Sequence, residues 1–472
     1  MADRVHKEVA LIDDQIKILD DELAALEKRR LEIEQEKEEL NKSRIAALSR
    51  TAPINRMLPE LLSSIFEYAV DGEDPLGTEL PLTLVTISHL WRKVALETPR
   101  VWGRVVLKVE DESEARPMLR RAQAFLERGK VTPIDVFFDI LQWGRNDDRQ
   151  SMVKEMVDML VGHIERCTRF IVRVREEDDV KAVLSTFPSR FPKTLAEFSL
   201  ESRESVRLDM PVMPNLASLS LDDVGPRNGW TSEHLQHLKS ISLRYFRPIQ
   251  FDSFLTALES AKDNLEELHL SKCGFSFDSN TFMFFTTDRR PCFPRLRKIG
   301  ITDINASDTD VLFDAIEAPA LEHLFIGMEN SRLRYFKFMD SDAGTSLRRC
   351  RVKKLEIEEA QIEGAETRAL LVLLKAASHS LEDLSISGGE LDSRFFHAMQ
   401  VEPSMLPHLQ SLSIKKLSEF TGRELLRIIR ARQGRDGITP LSSICVERCR
   451  SYEHDVSDAL KTMDIKFSFI PY

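Results

Sequence analysis

The chain has 472 residues, 42% of them hydrophobic and 30% charged, a composition typical of globular proteins and a length beyond one compact core, so two or three structural units are expected. Its net charge of −11 argues against general binding to nucleic acid or an anionic membrane, because phosphate surfaces need a concentrated basic face. Six cysteines, at positions 167, 273, 292, 350, 445 and 449, are spread too thinly for a disulfide framework.

The opening stretch MADRVHKEVALIDDQIK carries charge within its first four residues and has no apolar core, so no secretory leader is expected. No run of about 18 apolar residues occurs, so no membrane-spanning helix is expected either, and the location reads as cytoplasmic, nuclear or both. Residues 5–47 carry a heptad stripe. Its a positions begin Val9, Ile16, Leu23; its d positions run Ile12, Leu19, Leu26, Ile33, Leu40. Beyond Leu26 the a positions turn basic, at Arg30, Lys37 and Arg44. With no Gly or Pro before Pro53, a single long helix over residues 1–50 is predicted. Such a helix is hardly stable alone in water. The stripe fits a coiled coil joining two copies of the chain, a lone charged helix, or a helix folded back on its own protein. The basic a positions weaken pairing in its second half.

Residues 53–104 read as a unit of about three short helices. Pro59 suits the first turn of a helix whose apolar face holds Leu58, Leu61, Leu62, Ile65, Phe66, Ala69 and Val70, and Asp71-Gly72 stops it. A loop with Asp74-Pro75, Gly77 and Pro81 leads to a second amphipathic run with Leu84, Val85, Ile87, Leu90, Trp91, Val94 and Ala95. Thr98-Pro99 then opens a third short helix carrying Trp102. So much apolar surface in so small a unit implies a partner or a packed neighbour.

LPELLSSIFEYAV and TISHLWRKVALETPRVW resemble the two halves of the F-box, in its fungal F-box-like form. The positions that carry the likeness are Ile87, Ser88, His89, Trp91, Ala95, Thr98, Pro99 and Trp102, with Ser88 where the family usually has cysteine and His89 where it has Arg or Lys. The resemblance implies binding to the Skp-family adaptor of a cullin–RING ubiquitin ligase through Leu58, Pro59, Leu61, Leu62, Ile65, Ile87 and Trp91. Phe66 and Trp102 are expected to fill the motif's own core, where a role in the interface is the alternative.

From residue 105 to 472, and most clearly from 195, a short pattern recurs: Leu, two residues, a hydrophobic, one residue, a hydrophobic. Ten copies run from Leu195/Phe198/Leu200 to Leu441/Ile444/Val446, at intervals of about 21 to 32 residues, the range of repeat proteins. The register near residue 350 is open, because Leu347/Cys350/Val352 fits as well as Val352/Leu355/Ile357. The closing alternation is a strand period, and helical stretches such as TRALLVLLKAASHS lie between. Earlier strands are read at Ile134–Ile140 and Phe170–Val174, with a helix near Met152–Ile164. The whole resembles the irregular leucine-rich repeats of F-box proteins, implying an α/β solenoid. Outward residues such as Ser218, Ser220, Glu267, His269, His323, Phe325, Glu356 and Glu358 would then face a protein substrate.

No catalytic constellation stands out. Cys445-x-x-x-Cys449 has no second pair, His234-x-x-His237 lacks the HExxH arrangement, and there is no P-loop, GxGxxG or GxSxG. No metal or cofactor is expected. The sequence points to a non-catalytic substrate receptor of a ubiquitin ligase with an unidentified protein substrate, or alternatively to a ligase-independent interaction scaffold.

Overall fold

The lack of any helix breaker before Pro53 is matched by a single helix, α1 (Ala2–Thr51), in the computed structural model of the chain. The structure describes residues 2–51, 53–72, 79–141, 143, 149–185, 190–246, 248–276, 290–327, 350–358, 365–388, 391–418, 420–449, 456, 460, 463 and 465–470. The loop read over residues 73–78 and the side chains of Val9 and Ile12 lie outside that description. The chain divides into two compact units, Met1–Trp102 and Gly103–Tyr472.

In the first unit a 3-10 turn (Pro53–Arg56) follows α1, then come α2 (Pro59–Asp71), α3 (Glu79–Ile87), α4 (His89–Glu97) and a second 3-10 turn (Pro99–Trp102). The second amphipathic run is therefore two helices, not one. Ser88 breaks it: its backbone is extended, with φ −158° and ψ 166°, and its hydroxyl accepts the Trp91 N–H at the start of α4. The third helix shrinks to the 3-10 turn. Thr98 does not cap it; its hydroxyl donates to the Val94 carbonyl of the helix before and pairs with Ser63 Oγ at 2.8 Å. Trp102 is fully buried, and its indole N–H donates to the Ala95 carbonyl at 2.7 Å. Leu62, Phe66, Val70, Leu84, Val94 and Ala95 are buried with it.

The second unit is α/β. Fourteen of its strands form one open sheet, every pairing parallel. The strands are β1 (Arg104–Lys108), β2 (Ile134–Asp139), β3 (Cys167–Val174), β4 (Glu197–Leu208), β5 (Ser218–Pro226), β6 (Ser240–Arg244), β7 (Ile249–Gln250), β8 (Glu267–Ser271), β9 (Phe275–Ser276), β10 (Lys298–Thr302), β11 (His323–Gly327), β12 (Lys354–Glu358), β13 (Asp383–Ser387), β14 (Ser411–Lys415), β15 (Ser443–Glu447) and β16 (Lys466–Ile470). The large sheet follows chain order throughout, while β7 and β9 pair separately. Between strands lie α5 (Glu112–Arg128), α6 (Arg149–Val161), α7 (Glu177–Leu184), α8 (Ser232–Leu235), α9 (Phe251–Glu259), α10 (Ala306–Ala315), α11 (Ala365–Ala377), α12 (Ser393–Val401) and α13 (Gly422–Arg432).

The register explains the sequence pattern. Leu219, Ile241, Leu268, Ile299, Leu324, Leu355, Leu384, Leu412 and Ile444 form one buried column across the sheet. Leu221 to Val446 form a second column two residues further on. Leu355 and Ile357 occupy the columns at β12, which settles the open register; Cys350 and Val352 are buried before the strand. Alternate residues are only partly covered, so one face is packed and the other is open. Parallel sheets covered on both faces do not show this alternation. Where β6, β8, β10, β14 and β15 end, Tyr245, Lys272, Asp303, Lys416 and Arg448 take positive φ, between 50° and 54°. Each N–H then donates to the last strand carbonyl of the next strand.

Buried charge also holds this unit. Arg149 on α6 is buried against Asp179 of α7 at 2.5 Å and Glu176 at 3.5 Å. Arg432 on α13 is fully buried, donating to the carbonyls of Pro403, Leu409 and Thr439. Desolvation pushes its guanidinium down to about 10.

Candidate protein-binding surfaces

Helix α2 is apolar on two sides. Leu62, Phe66 and Val70 point inward, with Leu62 at 0% and Phe66 at 1% exposure. Leu58, just before α2, together with Leu61 and Ile65, makes a second stripe exposed by 63%, 53% and 42%. Pro59 is exposed beside it, and Ile87, at the end of α3, is also exposed. Leu62 is thus corrected from a contact to a core residue: it occupies the inner stripe, out of any partner's reach. Trp91 is half-buried, its ring 4.9 Å from that of Phe66, so it belongs to the core and the surface at once. Arg92 on α4 donates to the Val85 carbonyl at 2.7 Å, holding α4 to α3.

Sequence reasoning missed Tyr68. It lies three residues past Ile65, on the exposed stripe, and is almost wholly exposed. The 58/61/65/68 spacing is the signal that could have found it.

The open face of the sheet is the second surface. At its N-terminal end ion pairs bridge neighbouring strands: Arg169 lies between Asp135 and Glu197, and Arg173 between Asp139 and Glu201. In the middle, small residues leave a depression of about 430 Å³ lined by Ser220, Asp222, Ser242, Arg244, His269 and Phe325, among others. Gly300 lies between His269 and Phe325 in the register, and a Cβ there would fall 2.2 Å from His269 Nδ1. Arg244 lies 3.6 Å from Asp222 and 5.1 Å from the Tyr245 ring centre, while Lys272 donates to the Tyr245 hydroxyl at 2.6 Å.

Burial pushes the Asp222 carboxyl up to about 6, against the attraction of Arg244. Burial lowers the His269 imidazole, and Lys298 adds to the effect. Burial raises Glu356, but hydrogen bonds from Lys354 and His323 outweigh it and leave the carboxyl below its usual range. Further along, Glu358, Asp383, Ser385, Ser411 and Ser413 continue the face.

Cys273, Cys449 and His234 have structural work. The Cys273 thiol donates to the Leu243 and Ser271 carbonyls, and burial raises the Cys449 thiol, which contacts the Ile414 and Glu447 carbonyls. His234 sits in the capping turn of α8, with Nδ1 3.0 Å from Thr231 Oγ1. Among the described residues no group of three His, Cys, Asp or Glu side chains could hold a metal ion, and no helix is long and apolar enough to cross a membrane. In α1 the stripe at Ile16, Leu19, Leu23, Leu26, Ile33 and Leu40 is open to solvent, from 50% exposed at Ile16 to 67% at Leu26.

No protein-family model matches this chain, and no curated protein matches it either. The surfaces themselves therefore carry the functional argument.

Proposed function

We propose that this protein is a substrate-receptor subunit of a cullin–RING ubiquitin ligase. The outer stripe of α2, with Ile87 and the accessible edge of Trp91, docks the Skp-family adaptor. The second unit is an irregular leucine-rich-repeat solenoid whose open sheet face holds the protein substrate. No residue here does bond chemistry; the chain raises the effective concentration of substrate near the ubiquitin-carrying enzyme. Cytosol or nucleus is where such a ligase would work.

The observation that carries this reading is the double-sided α2. Its inner stripe completes the unit's core, and its outer stripe leaves Leu58, Leu61 and Ile65 exposed side by side, a patch that a soluble protein rarely leaves uncovered without a partner. Co-purification of the full chain with a Skp-type adaptor is the test. Capture that Leu61→Asp abolishes supports the proposal. If the intact chain captures no adaptor, the reading fails and the ligase-independent scaffold takes its place.

A further inference from the structure

The exposed stripe of α1 needs a cover, and the charge along the helix indicates which. Between residues 2 and 27 stand eight acidic and three basic residues, a net −5 with His6 neutral. Between residues 28 and 51 stand five acidic and seven basic, a net +2. The ion pairs within the second half, Arg29–Glu32, Arg30–Glu34 and Lys42–Glu38, join well-exposed side chains and leave this polarity in place.

We propose that α1 pairs with α1 of a second copy of this chain, antiparallel, with Ile16 of each copy beside Ile33 of the other. In this register Leu23 meets Leu26 at the centre, and Arg30 lies against Leu19 with Asp20 next to it in sequence. The acidic half of each helix runs along the basic half of its mate. A parallel pair would do the reverse: it would set −5 against −5 and stack Arg30, Lys37 and Arg44 each on its own copy across the a layers. Like charges facing at a layers are destabilising, and polar a residues are what fix orientation in such coils. The antiparallel register also overlaps nearly the full heptad stripe, so its exposed side chains at Ile16, Leu19, Leu23, Leu26, Ile33 and Leu40 are covered.

The helix spans about 75 Å at ~1.5 Å per residue, so the C-terminal ends of the two paired helices lie about 80 Å apart. A dimer of this kind sends the chain that follows α1 off from opposite ends of a stem, where a parallel dimer would bring the stem ends together. The inference stands independently of the ligase reading, because it uses only residues 2–51.

The test uses the full-length chain with the exposed Cys292 replaced by Ser. Light scattering should return twice the 54.2 kDa chain mass. Under an added oxidant, the Ile16→Cys/Ile33→Cys double variant should form disulfide-linked dimers, and Ile16→Cys alone should not. A second measurement leaves the heptad positions intact: donor and acceptor dyes on the N-termini of mixed copies should show no energy transfer, because those termini sit at opposite ends. A 54.2 kDa mass, a crosslink through Ile16→Cys alone, a silent double variant in a dimeric chain, or strong N-terminal transfer would each overturn the proposal.

Discussion

Trp91 and Phe66 pack ring against ring, 4.9 Å apart at 47°, although they belong to different helices and only Phe66 is sealed from solvent. Trp91 therefore serves packing and surface together, and its removal is an ambiguous probe of binding. Leu61, on the opposite stripe of α2, has no such double role. Trp91→Ala is expected to lower both adaptor capture and stability, the latter by about 2 kcal/mol through lost aromatic packing. Leu61→Asp should leave the thermal midpoint within about 2 °C while capture falls, since surface changes away from core or cap features stay near ±0.5 kcal/mol. Paired melting and co-purification measurements separate the two effects; a large stability loss in Leu61→Asp would return Leu61 to the core.

Gly300 is required by the rings that flank it. A methyl group there would meet His269 Nδ1 at 2.2 Å, and Phe325 closes the other side, its ring centre 5.9 Å from that of His269. Gly300→Ala is expected to destabilise the chain by about 1–3 kcal/mol through overpacking. Adding His269→Ala should recover most of that loss. Urea midpoints of both variants check the pair, and an unrescued double variant would place the strain elsewhere.

Asp222 gives the sheet face a pH signature. Its folded pKa of about 6 lies above the ordinary carboxylate value, so in that window the folded state holds the proton that the unfolded state has released. Stability from this group is present in acid and is lost as pH rises from about 4 through about 6. Asp222→Asn should flatten the decline of the thermal midpoint over that range relative to the parent chain. An unchanged slope would show that Arg244 holds the carboxylate ionised throughout.

Arg432 and Arg430 lie two residues apart on α13 and should behave oppositely. Arg432→Met strands the carbonyls of Pro403, Leu409 and Thr439 and should cost at least about 2 kcal/mol, because buried polar groups left unpaired carry their desolvation penalty. Arg430→Ala, on the exposed side, should stay within about 0.5 kcal/mol. Denaturant melts of the two variants decide, and equal losses would sink the distinction.

The strand columns were legible in advance because each unit repeats the same alternation, from Leu195/Phe198/Leu200 onward, and burial follows it residue by residue. The two ends of the sheet were not: RVVLK at β1 is nearly a continuous apolar run with no repeat spacing, and KFSFI at β16 alternates without the preceding leucine. The break at Ser88 escaped because periodicity alone carries through it; only the side-chain cap on Trp91 shows the interruption. Leu62 was misassigned for a related reason. Leu61, Leu62, Ile65 and Phe66 make one broad apolar band in sequence, and only packing reveals which half is covered. Arg432 shares one buried stripe of α13 with Leu425, Ile428 and Ile429, a placement that periodicity carries and charge alone does not. The Arg149–Asp179 pair joins residues from separate helices, a relationship no local pattern encodes.

In the large sheet the strands stand in chain order, and each pairs with the sheet strand before it and the sheet strand after it, with β7 and β9 left aside. The step from Leu219 to Ile241 is much shorter than that from Leu324 to Leu355, yet the columns run through both without slipping. Duplicating or deleting one strand-and-connection segment would therefore disturb a single seam and leave every other pairing as it was. Descendants of such a gene can lengthen the open face by copying segments and can re-letter it by point changes in the outward column, two kinds of inheritance that do not interfere with each other.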